Sequence, residues 1–155
     1  MRDAENIQQL VRLPIDYIGF IFYAKSARFV SDKLNVEIPT SIQKVGVLVN
    51  ASKDEISTKI KEFDLQVVQL HGDETPEFSQ EIKDLGIITF KAFGIDDDFD
   101  WENIKEFEGK VDYFLFDTKS KQYGGTGQTF NWDKLKDYPY LTPYWLSGGI
   151  SLENI

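Results

Sequence analysis

Asp117 closes the apolar run Phe114-Leu115-Phe116, and a glycine cluster, Gly124, Gly125 and Gly127, follows a few residues on. A carboxylate at the rim of an apolar core is desolvated, which raises its pKa toward the range where a general acid works near neutral pH. From this context alone, a loop-ordering or helix-capping acceptor is an equal alternative. The glycines of "GGTG" expose backbone N–H groups that can cradle a phosphate or bend tightly across a substrate, as an ordinary turn also would. The lysine and hydroxyl that end a nucleotide P-loop are absent there. Gly148 and Gly149 in "LSGGI" stand between an apolar run and Ser151, a helix-capping residue. That pattern suits a phosphate site and equally a plain strand-to-helix turn. Arg28 offers the planar two-pronged donor set that grips a carboxylate, although many arginines form only surface ion pairs. His71, the sole histidine, ends "VVQL"; on its own residues the simpler reading is an imidazole satisfying a strand-end hydrogen bond. Lys91 inside "FKAF" requires either a site-facing role or a buried counter-charge.

These residues gain meaning from the elements that would hold them. Six short runs rich in β-branched and aromatic residues recur at 16–22, 44–49, 65–70, 87–93, 112–116 and 143–149. They are nearly continuous in hydrophobicity rather than alternating, as in a parallel sheet covered on both faces. Segments of helical character lie between them. Ser52 caps one with Glu55 three residues on, and Ile56, Ile60 and Phe63 share its face. Thr75 and Pro76 start another, with Phe78, Ile82 and Leu85 as its stripe and Gly86 as its stop. Trp101, Ile104 and Phe107 recur every third residue in a third, ended by Gly109, and "NWDKLKDY" is a shorter case. Asp3 caps an opening helix that buries Ile7, Leu10 and Val11. Alternation of strand and helix predicts one α/β domain over residues 1–155 with right-handed crossovers, whose ligands bind at the carboxyl ends of the strands. Asn50, Arg28, His71, Asp117 and the two glycine groups all fall just past a strand. The opening helix has no strand ahead of it, and Ser151 caps a helix that "SLENI" does not complete. We therefore expect a repeating architecture cut within a unit at each end, six strands of an eight-stranded barrel.

Composition removes several function classes. There is no cysteine and a single histidine, which excludes disulfides and thiolate metal sites and implies no metal. The formal net charge of -9 argues against nucleic-acid binding, which needs clustered Lys and Arg. "DDDFD" at 96–100 lacks the spacing and glycine of a calcium loop and reads as a solvated lead-in to a helix. The three tryptophans suit core packing better than a base-stacking platform. No run approaches the roughly 18–20 apolar residues of a membrane span, and the stretch "MRDAENIQQL" lacks the basic-then-apolar layout of a signal peptide. The expectation is a soluble, cytoplasmic protein without a membrane partner.

Taken in order, "GFIFYAKSARFV", "KVGVLVNAS", "VVQLHGDE", "FKAF", "LFDT" with "GGTGQTFNW", and "LSGGI" resemble phosphoribosylanthranilate isomerase of tryptophan biosynthesis. The resemblance implies a (β/α)8 TIM barrel, incomplete here, lacking the first strand and the last strand-helix unit. It implies an Amadori rearrangement of a phosphorylated small-molecule substrate, with no cofactor, in a monomer or homodimer. By resemblance Asp117 is the general acid, Arg28 holds the anthranilate carboxylate and His71 contacts ligand at the rim. Gly148 and Gly149 contribute to the phosphate site, while Gly124, Gly125 and Gly127 belong to a loop covering the substrate. The family's general base is a cysteine in its first strand. This sequence has none, so the resemblance implies an acid without its base and a chain that is inactive as written. Other phosphate-binding barrel enzymes, or a binding module that lost its base, are the alternatives.

Overall fold

In a computed structural model, which describes residues 1–32, 35–118 and 131–154, six strands form one parallel sheet in sequence order. The elements run α1 (Ala4–Leu10), β1 (Tyr17–Ile21), β2 (Gln43–Leu48), α2 (Lys53–Phe63), β3 (Val67–Leu70), α3 (Pro76–Lys83), β4 (Ile88–Ile95), a 3₁₀ helix (Trp101–Phe107), β5 (Tyr113–Thr118), a second 3₁₀ helix (Trp132–Asp137) and β6 (Tyr144–Leu146). Every neighbouring pair is parallel, as strand-helix alternation requires.

The caps form as expected. Asp3, Ser52 and Thr75 each accept a backbone N–H of the first turn of α1, α2 and α3, and Pro76 opens α3. Two expectations are corrected. The segments around Trp101 and Trp132 are 3₁₀ helices rather than α-helices. Residues Trp101, Ile104 and Phe107 recur every third position, and a helix of three residues per turn brings such a set onto one face. Leu85 does not complete the buried stripe of α3: the helix ends at Lys83 and Leu85 is exposed.

Strand parity divides the sheet into two faces. Val45, Val67 and Phe90, with Tyr17, Val47, Ile88, Tyr113 and Leu115, pack together from β1 through β5. The alternate residues, among them Ile18, Phe20, Leu48, Val68 and Leu70, pack under α1–α3, and Phe114 and Phe116 pack under the 3₁₀ helices. The first set faces one interior because the sheet curls: Tyr17 of β1 meets Trp145 of β6 edge-on at 5.2 Å, and Trp145 stacks on Phe90 at 6.0 Å. Side chains of the two edge strands could not touch across a flat sheet whose strands are about 4.8 Å apart. This curled, incomplete α/β barrel carries one apolar layer inside and a larger one between the sheet and the helices outside it. Odd residues of β1 direct their backbone away from β2, and the carbonyls of Gly19 and Ile21 on that edge accept the Met1 amino group and the Val30 N–H.

Candidate active site

The parity that buries Tyr113 and Leu115 inside puts Asp117 on the same inner face of β5, at its carboxyl end and half-buried. The registers seat it beside Gly94 of β4 and, on its other side, near the turn that leaves β6, where Ser147 donates its N–H to the Phe116 carbonyl at 2.8 Å. Gly148 sits directly against this acid. A Cβ there would lie 2.4 Å from Asp117 Oδ1, 3.0 Å from the Thr118 nitrogen and 3.1 Å from Thr118 Oγ1. Gly148 and Gly149 have φ of 82° and 67°, a left-handed pair that only glycine enters without strain. The following turn is held by Asn154, whose Oδ1 accepts the Ser151 N–H and whose Nδ2 donates to the Gly149 carbonyl. The paired glycines thus shape a turn alongside the carboxylate rather than a featureless connection.

His71 directly follows β3 at the parity of Val67, and its own N–H donates to the Leu48 carbonyl of β2 at 2.8 Å. Asn50, past β2, takes a left-handed backbone with φ 51° and accepts the Asp73 N–H on its Oδ1 at 2.7 Å. Arg28 is exposed in the segment after β1, where its backbone N–H donates to Ser26 Oγ. Its charge bears on the Met1 ammonium, whose pKa is lowered first by burial and then by that arginine. Its guanidinium has no ion-pair partner among the described residues. The structure thus brings Asp117 and Gly148 into contact and ties Asn50 to the loop after His71, while Arg28 joins neither group. Gly124, Gly125 and Gly127 lie outside the described residues.

Of the two readings open for Lys91, the buried ion pair is the one observed. Its parity is that of Phe93, on the outer face, and its ammonium lies 5.2 Å from the Phe93 ring centre and 5.9 Å from that of Phe107. It donates to Glu74 Oε2 at 3.1 Å, and both side chains are almost wholly buried. Burial lowers the lysine's pKa, and the Glu74 carboxylate opposes that shift. Sequence reasoning missed Glu74. The available signal was Lys91 itself: a lysine in a buried strand demands a carboxylate from a neighbouring loop, and "HGDE" supplies the acids nearest the adjoining strand end.

A curled parallel sheet with an acid inside one strand end and a glycine turn pressed against it defines an α/β-barrel protein whose site lies over the carboxyl ends of its strands. The profile of N-(5'phosphoribosyl)anthranilate (PRA) isomerase matches residues 1–155. A relative from Phocaeicola vulgatus named N-(5'-phosphoribosyl)anthranilate isomerase is 43% identical over 150 residues, covering 97% of this chain and 73% of the relative. Among solved structures, phosphoribosyl anthranilate isomerase from Thermotoga maritima superposes with a TM-score of 0.81 at 34% identity, over 100% of this chain and 77% of that one. Another, in complex with reduced 1-(o-carboxyphenylamino)-1-deoxyribulose 5-phosphate, has a TM-score of 0.64 at 25% identity, over 98% of this chain and 86% of that one. This chain belongs to the phosphoribosylanthranilate isomerase family. Among the described residues, no helix is long and apolar enough to cross a membrane.

Proposed function

We propose that the chain serves the isomerisation of N-(5-phosphoribosyl)anthranilate to 1-(2-carboxyphenylamino)-1-deoxyribulose 5-phosphate in tryptophan biosynthesis, with Asp117 as the general acid. The observation that carries this reading is the carboxylate of Asp117 on the inner face of β5, at the strand's carboxyl end and against Gly148. From there Asp117 gives a proton to the ring oxygen of the sugar as the bond from that oxygen to C1 breaks, leaving a protonated Schiff base. Loss of the C2 proton to a base then gives an enolamine that tautomerises to the ketone. Arg28 holds the anthranilate carboxylate, His71 contacts the ligand at the rim, and Gly148 and Gly149 contribute backbone to the phosphate site. Membership of the family supports these roles, as do the positions of Asp117 at the carboxyl end of β5 and of Arg28, His71, Gly148 and Gly149 after β1, β3 and β6.

The test has two arms, binding of the reduced product analogue and turnover followed by the loss of substrate fluorescence. In a version of the chain supplied with a cysteine-bearing first strand and a completed carboxyl end, Asp117→Asn keeps the shape of the acid and is expected to hold analogue affinity within about threefold while lowering turnover by about 10²- to 10⁴-fold. Undiminished turnover in that variant refutes the acid assignment. A second reading is favoured by one observation, the absence of cysteine from these 155 residues: ligand binding without the proton abstraction at C2. Analogue binding by the unmodified chain with no turnover supports it over the first.

A further inference from the structure

Glu74 and Lys91 lie behind the sheet, yet their bonds converge on the strand ends that carry the site. Glu74 Oε1 accepts the Asn50 N–H at 2.8 Å, and Oε2 accepts the Gly72 N–H at 2.9 Å. Lys91 donates to the Gly72 carbonyl at 2.7 Å, to Glu74 Oε2 at 3.1 Å and to the Ala92 carbonyl at 3.3 Å. All three ammonium protons are therefore used, and the Gly72 peptide is gripped on its N–H by one member of the pair and on its C=O by the other. His71 stands between that gripped residue and its own N–H bond to Leu48, so its backbone is fixed on both sides. The approach of the loops is close enough that a Cβ on Gly72 would lie 2.3 Å from Asn50 Oδ1 and 2.8 Å from the Asn50 nitrogen.

Stability alone does not call for this arrangement. A buried ion pair is generally no more stabilising than well-packed apolar residues of the same volume, because both charges are stripped of water. What a charged pair adds is direction, since each bond fixes a particular backbone group. Here those groups are the Asn50 N–H and the Gly72 N–H and C=O, just past β2 and β3, and the Ala92 carbonyl within β4.

We propose that Glu74 and Lys91 are positioning residues: acting from the outer face, the pair sets His71 and the Asn50 turn in the geometry that receives the phosphorylated ligand. The proposal rests on the reading of His71 as a ligand contact. Because His71 is the only histidine, its ring C–H resonances are identified in a proton NMR spectrum without assignment, and they report its setting directly.

The experiment compares the full chain with Glu74→Gln, Lys91→Met and the double variant. Ring resonances of His71 are recorded without ligand, and affinity is measured for the reduced product analogue. The double variant removes both charges together and is expected to stay folded with a urea midpoint near that of the unmodified chain. Its His71 resonances are nonetheless expected to move or broaden, and its analogue affinity to fall at least tenfold. A further His71→Ala change in that background should then cost much less affinity than it does alone. A folded double variant with unchanged ring signals and unchanged affinity overturns the proposal. If it does not fold, Glu74→Asp decides, since it keeps the charge but withdraws the carboxylate by one methylene. Shifted ring signals in that variant support the proposal and unshifted ones overturn it. If the unmodified chain does not bind the analogue, the functional reading fails, and the ring signals alone decide whether the pair positions His71.

Discussion

The contact between Gly148 and Asp117 permits a prediction that separates backbone strain from steric displacement. In Gly148→Ala the new methyl carbon would stand 2.4 Å from Asp117 Oδ1 and 3.0 Å from the Thr118 nitrogen, at a residue with φ 82°. The positive φ costs an L-residue about 1–2 kcal/mol. Forcing an extra methyl into filled space costs about 1–3 kcal/mol more. The backbone of β5 is held in the sheet, so the clash is relieved mainly by pushing the carboxylate aside by at least roughly half an ångström. A misplacement of about 1 Å in a reacting group can cost about 10²-fold in rate, so turnover, measured in the chain supplied with a cysteine-bearing first strand and a completed carboxyl end, should fall at least tenfold. Gly86→Ala is the control: its φ is 79°, but nothing lies within 4 Å of the added carbon, so it carries the backbone term alone. Urea unfolding should therefore place Gly148→Ala about 1–3 kcal/mol below Gly86→Ala, with turnover impaired only in the former. Equal stability losses in the two variants, together with unimpaired turnover in Gly148→Ala, would refute the inferred contact.

Two further predictions concern the scaffold. Phe114 is fully buried between β5 and the 3₁₀ helices, so Phe114→Ala should cost about 3–5 kcal/mol, read from the urea midpoint at unchanged slope. Tyr138 donates its hydroxyl to the Thr142 carbonyl, and burial raises its pKa well above 10.0. The unfolded phenol ionises near 10.0 while the folded one keeps its proton, so this group's contribution is complete below that pH and lost as pH rises beyond it. Tyr138→Phe should be less stable than the parent by about 1 kcal/mol at neutral pH. Its stability should then decline less steeply between pH 10 and 11 in urea titrations; parallel curves would contradict the assignment.

Much of the architecture was legible because parallel strands buried on both faces announce themselves as short apolar runs, and capping residues mark where the helices begin. Ser52, Thr75 and Pro76 could be placed in this way because each satisfies backbone groups only a few residues away. The 3₁₀ form of Trp101–Phe107 was present in the spacing too, in an apolar residue at every third position. What could not be read locally was the partner of Lys91. Glu74 lies 17 residues earlier, and only the parallel pairing of β3 with β4 brings the loop after β3 over that lysine. The contact of Gly148 with Asp117 is hidden for the same reason, since it arises from the register of β5 against β6.

Parity also explains why two ionisable residues in similar sequence surroundings have different tasks. Lys91 and Asp117 both follow apolar strand residues, Lys91 within β4 and Asp117 at the carboxyl end of β5. Lys91 has the parity of Phe93, which packs outside, whereas Asp117 has the parity of Leu115, which packs inside. A charge turned outward is sealed under the helices and must find its counter-charge there, as Lys91 does with Glu74. A charge turned inward at the rim keeps access to solvent and ligand, which a proton donor requires. A one-residue change of register in β4 or β5 would exchange these environments. The site is therefore specified as much by the apolar residues that fix the register as by the acid itself.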